Sequence, residues 1–87
     1  MAIAYLYEFP GMTQEHYDRF VEEQYKGEPM PGVIAHAAGP SDSGWWAFDV
    51  YESQEAADAI GRPAIAKLRE LGVSEEPSVR TFQVHSH

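Results

Sequence analysis

The sequence predicts one α+β domain whose strands and helices follow the order β-α-β-β-α-β. The chain contains an internal repeat. Tyr7-Glu8 leads through a Pro-Gly turn to Thr13-Gln14-Glu15, and Tyr51-Glu52 leads directly into Ser53-Gln54-Glu55. Each copy is an aromatic-rich strand that runs into a capped helix and then into another apolar strand. With only one hairpin, this order is the split βαβ, or ferredoxin-like, arrangement. Right-handed crossovers then place both helices on one face of a four-stranded antiparallel sheet.

The first half of the chain is assigned from aromatic content and helical spacing. Residues 2–9 form a strand that ends at Pro10-Gly11. Thr13 is a good helix N-cap, and the apolar groups recur at one-face spacing to about residue 26. These groups are Tyr17, Phe20, Val21 and Tyr25. Residues 27–32, rich in Gly and Pro, predict a stiff connector, and residues 33–38 form the second strand.

The second half begins with a polar hairpin loop over residues 39–44 and a strand over residues 45–51. Ser53 caps the second helix, which Gly61-Arg62-Pro63 is expected to interrupt because proline lacks a backbone N–H. A further amphipathic segment ends at Gly72, and residues 79–85 form the last strand. Residues 1–87 therefore read as a single domain.

Composition excludes several classes of function. The formal net charge of −8 argues against nucleic acid and anionic membranes as partners. The chain contains no cysteine, which excludes disulfides, thiolate catalysis and zinc-thiolate sites. There is no basic leader and no apolar run of membrane-spanning length, so we expect a cytoplasmic protein. No glycine-rich phosphate turn follows a strand, so no metal, flavin or nicotinamide cofactor is expected.

The two faces of the sheet follow from the length of the hairpin loop. A five-residue loop pairs Ala38 with Gly44 and puts His36 opposite Trp46. One face then carries Ile34, His36, Trp46, Phe48 and Val50, and the other carries Val33, Ala35, Ala37, Trp45, Ala47, Asp49 and Tyr51. Both faces are largely apolar, while the helices cover only one. A second copy of the chain is the simplest cover for the other face, which predicts a homodimer.

His36 and Asp49 are the candidate catalytic residues. An imidazole among apolar neighbours needs a hydrogen-bond partner; it is either a general base or a core histidine satisfied by the backbone or a tyrosine hydroxyl. Asp49 needs a cation, which Arg80 or a partner chain could supply, or else it is a carboxylate poised for proton transfer. His16, on the first helix, is expected to be solvated. The four histidines lack metal-ligand spacing, so no metal site is predicted.

The candidate binding residues are mainly aromatic, because a pocket for a flat ligand needs an apolar lining with few polar groups. Trp45 and Trp46 point to opposite faces, so at most one lines a given cleft. The alternative for these rings is core packing. The full set comprises Tyr5, Trp45, Trp46, Phe48, Tyr51 and His85.

Several segments resemble one known group of proteins. They are Tyr5-Leu6-Tyr7-Glu8-Phe9-Pro10-Gly11, Pro31-Gly32-Val33-Ile34-Ala35-His36, Gly44-Trp45 with Asp49-Val50-Tyr51-Glu52-Ser53, and Val84-His85. Together they are similar to small proteins of the dimeric α+β barrel superfamily. That superfamily includes antibiotic-biosynthesis monooxygenases, polyketide cyclases, muconolactone isomerase-like enzymes and haem-degrading monooxygenases. The resemblance implies a homodimer whose sheets face each other, with a ligand cleft between sheet and helices in each protomer.

Two classes of function follow from the residues and the resemblance together. One is a small cofactor-independent enzyme of secondary metabolism acting on an aromatic or polyketide-like molecule, either a monooxygenase or a cyclase or isomerase. The other is a non-catalytic homodimer that binds an aromatic metabolite. Haem degradation is a weaker third alternative, because His36 and His85 lie in no haem-ligand motif. A fold of this kind hosts many chemistries, so the site has to decide between them.

Overall fold

The computed structural model describes residues 1–26 and 30–86, and its elements follow the predicted order. The strands are β1 (Ile3–Pro10), β2 (Val33–Pro40), β3 (Gly44–Tyr51) and β4 (Ser78–Gln83). The helices are α1 (Gln14–Phe20), which continues as a π-helical segment (Val21–Tyr25), and α2 (Gln54–Glu70). The predicted connector over residues 27–32 falls partly outside the described residues. The last strand ends at Gln83, before the predicted His85.

The four strands form one antiparallel sheet in the order β2-β3-β1-β4. The two central strands, β1 and β3, carry the aromatic residues, which suit a pleated and buried surface. The helix-facing side of the sheet packs on α1 and α2 through one core cluster of Tyr7, Phe9, Met12, Phe20, Trp45, Ala47, Leu68 and Val73. The predicted α+β, ferredoxin-like fold is therefore confirmed.

The predicted register of the β2–β3 hairpin was wrong. The turn is only residues 41–43, and β2 pairs Ala38 with Ala47 and His36 with Asp49. The Ser41 and Ser43 hydroxyls both donate to the Glu8 carboxylate, which holds this short turn against β1 and lowers the pKa of Glu8. A side chain at Gly44 would approach the Phe9 carbonyl oxygen to 2.3 Å, so only glycine fits beside β1.

A β-bulge between Val33 and Ala35 changes the side-chain alternation of β2. Val33 pairs with Tyr51 and Ala35 with Val50, so Ile34 is the extra residue. Because side chains alternate along a strand, the extra residue places both Val33 and His36 on the helix-facing side. His36 therefore shares a face with Trp45 and Asp49, and not with Trp46 and Phe48 as the sequence predicted.

Helix α1 begins with a capping box. The Thr13 hydroxyl accepts the His16 backbone N–H, and His16 Nδ1 accepts the Thr13 backbone N–H at 3.1 Å. His16 is half-buried and its hydrogen bonds in the cap are exposed, so the side chain that was expected to be solvated keeps part of its surface in water while it holds the helix end. The π-helical segment then brings Tyr25 edge-on against Phe20, with ring centroids 5.4 Å apart. Lys26 ends this segment in the left-handed conformation, with φ of 53°.

Helix α2 runs without interruption over 17 residues, with Pro63 inside it, so the predicted break at Gly61-Arg62-Pro63 was wrong. Proline removes one helical N–H, but the helix is held on both sides of it by the buried residues Ala57 and Leu68. Ser53 caps the start as predicted, and its side chain accepts the Ala56 N–H. Gly72, with φ of 110°, ends the helix, and Val73 N–H returns to the Leu68 carbonyl.

In the part of the chain that the structure describes, the opposite side of the sheet has no helix against it, and we call it the open face. Its register positions are mostly apolar: Ala4, Leu6, Ala35, Ala37, Trp46, Phe48, Val50 and Phe82. Phe82 is 41% exposed, and Ala35 and Ala37 are exposed as well, whereas Ala4 is buried. In the described part of the chain, neither helix has the length and apolar character needed to span a membrane.

Candidate functional site

A cavity of about 60 Å³ lies between the helix-facing side of the sheet and the two helices. Its walls are almost entirely apolar or aromatic. They consist of Tyr7, Phe9, Met12, Tyr17, Phe20, Val21, Tyr25, Met30, His36, Trp45, Ala47, Asp49, Tyr51, Ile60, Gly61, Ala64, Ile65 and Leu68. The wall residues from the π-helical segment and from the middle of α2 are half-buried, so the cavity reaches solvent between these two elements. An apolar lining with a few polar groups is the usual composition of a small-molecule site.

A line of three hydrogen-bonded side chains runs along one wall of this cavity. His36 Nδ1 contacts Asp49 Oδ1, and His36 Nε2 lies 2.8 Å from the Tyr17 hydroxyl. An ionised carboxylate can only accept, so Nδ1 carries the hydrogen of the neutral imidazole and Nε2 accepts from Tyr17. The Asp49 side chain is 10% exposed and that of His36 is 26% exposed. The arrangement is that of a general base oriented by a carboxylate.

Each member of this line is positioned by its own element. His36 and Asp49 are directly paired across β2 and β3, so their side chains leave the same face side by side. Tyr17 is in the first turn of α1, and its ring packs on Trp45 with centroids 5.2 Å apart. The sequence prediction missed Tyr17 as a site residue, because its helical spacing with Phe20 and Val21 marks it equally well as core.

Asp49 pairs with His36 and not with Arg80, as the sequence had suggested. Arg80 pairs in register with Leu6, which places its side chain on the open face. There its guanidinium lies over the Phe82 ring, 5.3 Å from the centroid. The carboxylate and the arginine are therefore on opposite sides of the sheet. Among the described residues, the side chain in contact with Asp49 that can carry a positive charge is His36, once its imidazole is protonated.

A pair of tyrosine hydroxyls forms a second polar point in the cavity wall. Tyr7 and Tyr51 share a hydrogen bond of 3.2 Å. Burial, reinforced by the nearby Asp49 charge, raises the pKa of Tyr7 to about 12 and raises that of Tyr51 further. Burial likewise raises the pKa of Tyr17 and of Tyr25. All four phenols are thus kept neutral, so they can donate hydrogen bonds inside the cavity.

Trp45 contributes a donor without a partner. Its side chain is buried and lines the cavity, and Nε1 has no hydrogen-bond acceptor among the described residues. Leaving a buried N–H unpaired costs about 1–3 kcal/mol. An acceptor oxygen that reached Nε1 would remove that cost.

The structure brings together four of the predicted site residues and separates the other four. His36, Asp49, Trp45 and Tyr51 line the cavity. Tyr5 lies behind it, with its ring edge-on to Tyr51 and its hydroxyl accepting from Gln54 at 2.7 Å. Trp46 and Phe48 are on the open face, and His85 follows the end of β4 beside Met1 and Ala2. Within residues 1–26 and 30–86, no group of three or more histidine, aspartate or glutamate side chains could hold a metal ion.

Comparison with known proteins gives structural neighbours only. No family model and no curated protein matches the sequence. Rv0793 from Mycobacterium tuberculosis superposes with a TM-score of 0.67 at 17% identity, over 100% of this chain and 98% of that one. The ActVA-Orf6 monooxygenase of Streptomyces coelicolor, solved with Nanaomycin D, gives 0.57 at 21% identity, over 99% and 88%. SnoaB, a cofactor-independent oxygenase of Streptomyces nogalater, gives 0.59 at 15% identity, over 99% and 93%.

The chain has the fold of these three proteins. The resemblance inferred from the sequence, to antibiotic-biosynthesis monooxygenase-like proteins, is confirmed for the fold by all three superpositions. At these identities the likeness fixes the architecture and leaves the chemistry to the residues of the cavity.

Proposed function

We propose that this protein is a cofactor-independent oxygenase of an aromatic, hydroxyl-bearing small molecule. The observation that carries the proposal is the Asp49–His36 pair, a base with its orienting carboxylate, in the wall of an otherwise aromatic cavity. Two structural neighbours named as a monooxygenase and a cofactor-independent oxygenase support the reaction class. Proteins of the same fold catalyse other reactions, so the proposal depends on the Asp49–His36 pair and on the lining of the cavity.

The chemistry requires the protein to remove one proton and to hold the resulting anion. His36 accepts the proton, and Asp49 fixes the imidazole tautomer and stabilises the imidazolium that forms. The Tyr7–Tyr51 hydrogen bond uses one of the two neutral hydroxyl hydrogens, which leaves the other free to donate to an oxygen atom on which negative charge develops. The mainly apolar walls limit the amount of water that can surround the anion.

The electrons for oxygen come from the substrate. An electron-rich aromatic anion can reduce dioxygen directly, so that one oxygen atom enters the ring and the other leaves as water. The ring loses hydrogen in the same sequence, which balances the electrons. The protein then has to orient the substrate, provide the base and surround the substrate with an apolar lining. The residues of this cavity can do all three.

The cavity must widen to admit such a ring. An apolar cavity of about 150 Å³ accepts benzene, whereas this one measures about 60 Å³. The half-buried wall residues Tyr25, Met30 and Ile65 stand where it reaches solvent. Substrate entry therefore requires side chains of the π-helical segment and of α2 to move apart. Irregular helical turns of this type recur at functional sites.

The experiment is oxygen uptake with dithranol, a hydroxyanthrone that becomes electron-rich on deprotonation. His36→Ala should lower kcat by ~10²–10⁴-fold, the span of general-base catalysis, and Asp49→Asn should also lower it. His16→Gln is the matched control, because glutamine can replace the imidazole in the capping box outside the cavity. Ligand binding without any oxygen uptake would instead favour a non-catalytic binding protein.

We also propose a homodimer formed through the open face. Most positions of this face are apolar, with Glu8 and Arg80 among the exceptions, and no helix or strand of the described residues covers it. Apolar patches of this extent mark interaction sites, and a two-fold dimer allows the same face to cover itself. The cavities lie on the other side of each sheet, so a dimer of this kind leaves both mouths free.

A further inference from the structure

We infer that Tyr17 is a catalytic residue that takes the proton from the substrate and passes its own hydroxyl hydrogen to His36. This inference rests on the proposed function, because it names the group through which the base reaches the substrate. It also restricts the substrate class to molecules that present an acidic hydroxyl at the edge of an aromatic ring.

Both ring nitrogens of His36 already have hydrogen-bond partners. Asp49 occupies Nδ1 and the Tyr17 hydroxyl occupies Nε2 at 2.8 Å. Neither ring nitrogen is left for a substrate. A substrate hydroxyl can therefore reach the base only by displacing Tyr17 or by bonding to it.

The position of Tyr17 favours bonding over displacement. Its ring packs on Trp45 and lies parallel to the His36 ring, with an interplanar angle of 2°. The backbone next to it is fixed by the capping box and by the Tyr17 N–H, which donates to the Thr13 carbonyl at 3.1 Å. Tyr17 thus sits in a packed wall of the cavity, and its hydroxyl oxygen keeps lone pairs that can accept a substrate hydrogen.

The transfer involves two bonds broken and two bonds formed. The substrate O–H bond breaks as a new O–H bond forms on Tyr17, and the original Tyr17 O–H bond breaks as an N–H bond forms on His36 Nε2. The products are the substrate anion, neutral Tyr17 and an imidazolium paired with Asp49. No electrons are transferred in this step, so it needs no oxidant.

The two protons must move together. Burial and the charge of Asp49 raise the pKa of Tyr17, so a tyrosinate at this position is disfavoured. A stepwise route through a tyrosinate would meet that cost, and a concerted transfer avoids it. The rate should then depend on two exchangeable hydrogens.

The first test uses para-nitrophenol, whose anion is yellow, in mildly acidic buffer where the free phenol is colourless. Binding is followed independently by quenching of Trp45 fluorescence. Wild type should bind the probe and generate the yellow anion, whereas Tyr17→Phe should bind it without the colour, as should His36→Ala. Full colour in Tyr17→Phe, or a wild-type protein that binds no probe or leaves it colourless, would overturn the relay.

The second test uses dithranol oxidation. Tyr17→Phe should lower kcat by ~10²-fold with little change in KM, and should have no further effect in a His36→Ala background, because the two residues act as one unit. When wild-type kcat is plotted against the fraction of heavy water in the solvent, the plot should be curved, as expected when two protons move in the transition state. A linear dependence, or an unimpaired Tyr17→Phe, would contradict the inference.

These outcomes separate the inference from the function beneath it. Oxidation that needs His36 but not Tyr17 leaves the oxygenase proposal standing and removes the relay. Ionisation of para-nitrophenol through Tyr17 without oxidation of dithranol leaves the relay standing and removes the oxygenase proposal for hydroxyanthrones. The proton inventory uses the unmodified protein, so the relay remains testable even if Tyr17→Phe fails to fold.

Discussion

The hydroxyl groups of Tyr7 and Tyr51 lie 3.2 Å apart and hydrogen-bond to each other inside the aromatic core. The two residues come from neighbouring central strands but are not paired in register, since Tyr7 lies opposite Ala47. Their contact therefore depends on the long rings leaning along the sheet. Because both phenols are buried beside Asp49, ionising either one is costly in the folded protein.

The first prediction is a loss of stability in alkali. Folding raises the pKa of Tyr7 from 10.0 to about 12. A raised folded-state pKa contributes stability that is complete below pH 10.0 and is lost as the pH rises towards about 12. Urea unfolding across this pH range should show that the free energy of unfolding falls by about 2–3 kcal/mol because of this group. Tyr7→Phe should show a shallower fall, and an identical slope in the two proteins would refute the assignment.

The second prediction distinguishes the two tryptophans. Trp45 lines the cavity and Trp46 is on the open face. A ligand in the cavity should quench Trp45, so Trp46→Phe should retain the quenching by para-nitrophenol and Trp45→Phe should lose it. The pair is matched, since the residues are adjacent and the substitutions identical. Retained quenching in Trp45→Phe would place the ligand elsewhere.

The third prediction concerns the dimer. Phe82 and Val79 are on the same strand with nearly equal exposure, 41% and 42%, but face opposite sides of the sheet. Phe82→Glu buries a charge in the proposed interface and should shift the protein to monomers in sedimentation experiments. Val79→Glu should not change the mass of the assembly measured by sedimentation. A wild-type monomer at micromolar concentration would remove the proposal altogether.

The fourth prediction concerns Pro63. A proline inside a helix is about 3 kcal/mol less favourable than alanine, so Pro63→Ala should raise the free energy of unfolding by about 1–3 kcal/mol. Pro77, outside the helices, is the control. Pro77→Ala should change stability in the opposite direction, by up to about 1 kcal/mol, because it frees the unfolded chain. Urea unfolding of both variants decides, and a destabilised Pro63→Ala protein would contradict the prediction.

Much of the fold could be predicted because its signals are local. Aromatic alternation marked the strands, and Thr13 and Ser53 marked the helix starts. The pairing of β2 with β3 could not be predicted, because it depends on a short turn held against β1 by Glu8, which is distant in sequence. Pro63 was read as a break because its local cost is visible, whereas the tertiary packing that outweighs it is not.

The site was predicted in part for the same reason. His36 and Asp49 were recognisable as polar residues in apolar strands, but their mutual contact depended on the register that the sequence did not determine. Tyr17 has no distinguishing signal, because a tyrosine on the inner stripe of a helix is normally core. Its role became visible only from the position of its hydroxyl beside Nε2.

The bulge at Ile34 affects how this chain should be aligned with others of its fold. Upstream of Ile34, the alternation of β2 is set by the pairing of Val33 with Tyr51, and downstream it is set by the hairpin. The registers on the two sides of the bulge differ by one residue, and Ile34 is that extra residue. A relative with an unbulged strand would carry the equivalent of His36 one position closer to the start of β2. An ungapped alignment would then match His36 with a residue that faces the other side of the sheet, and would conceal a shared base.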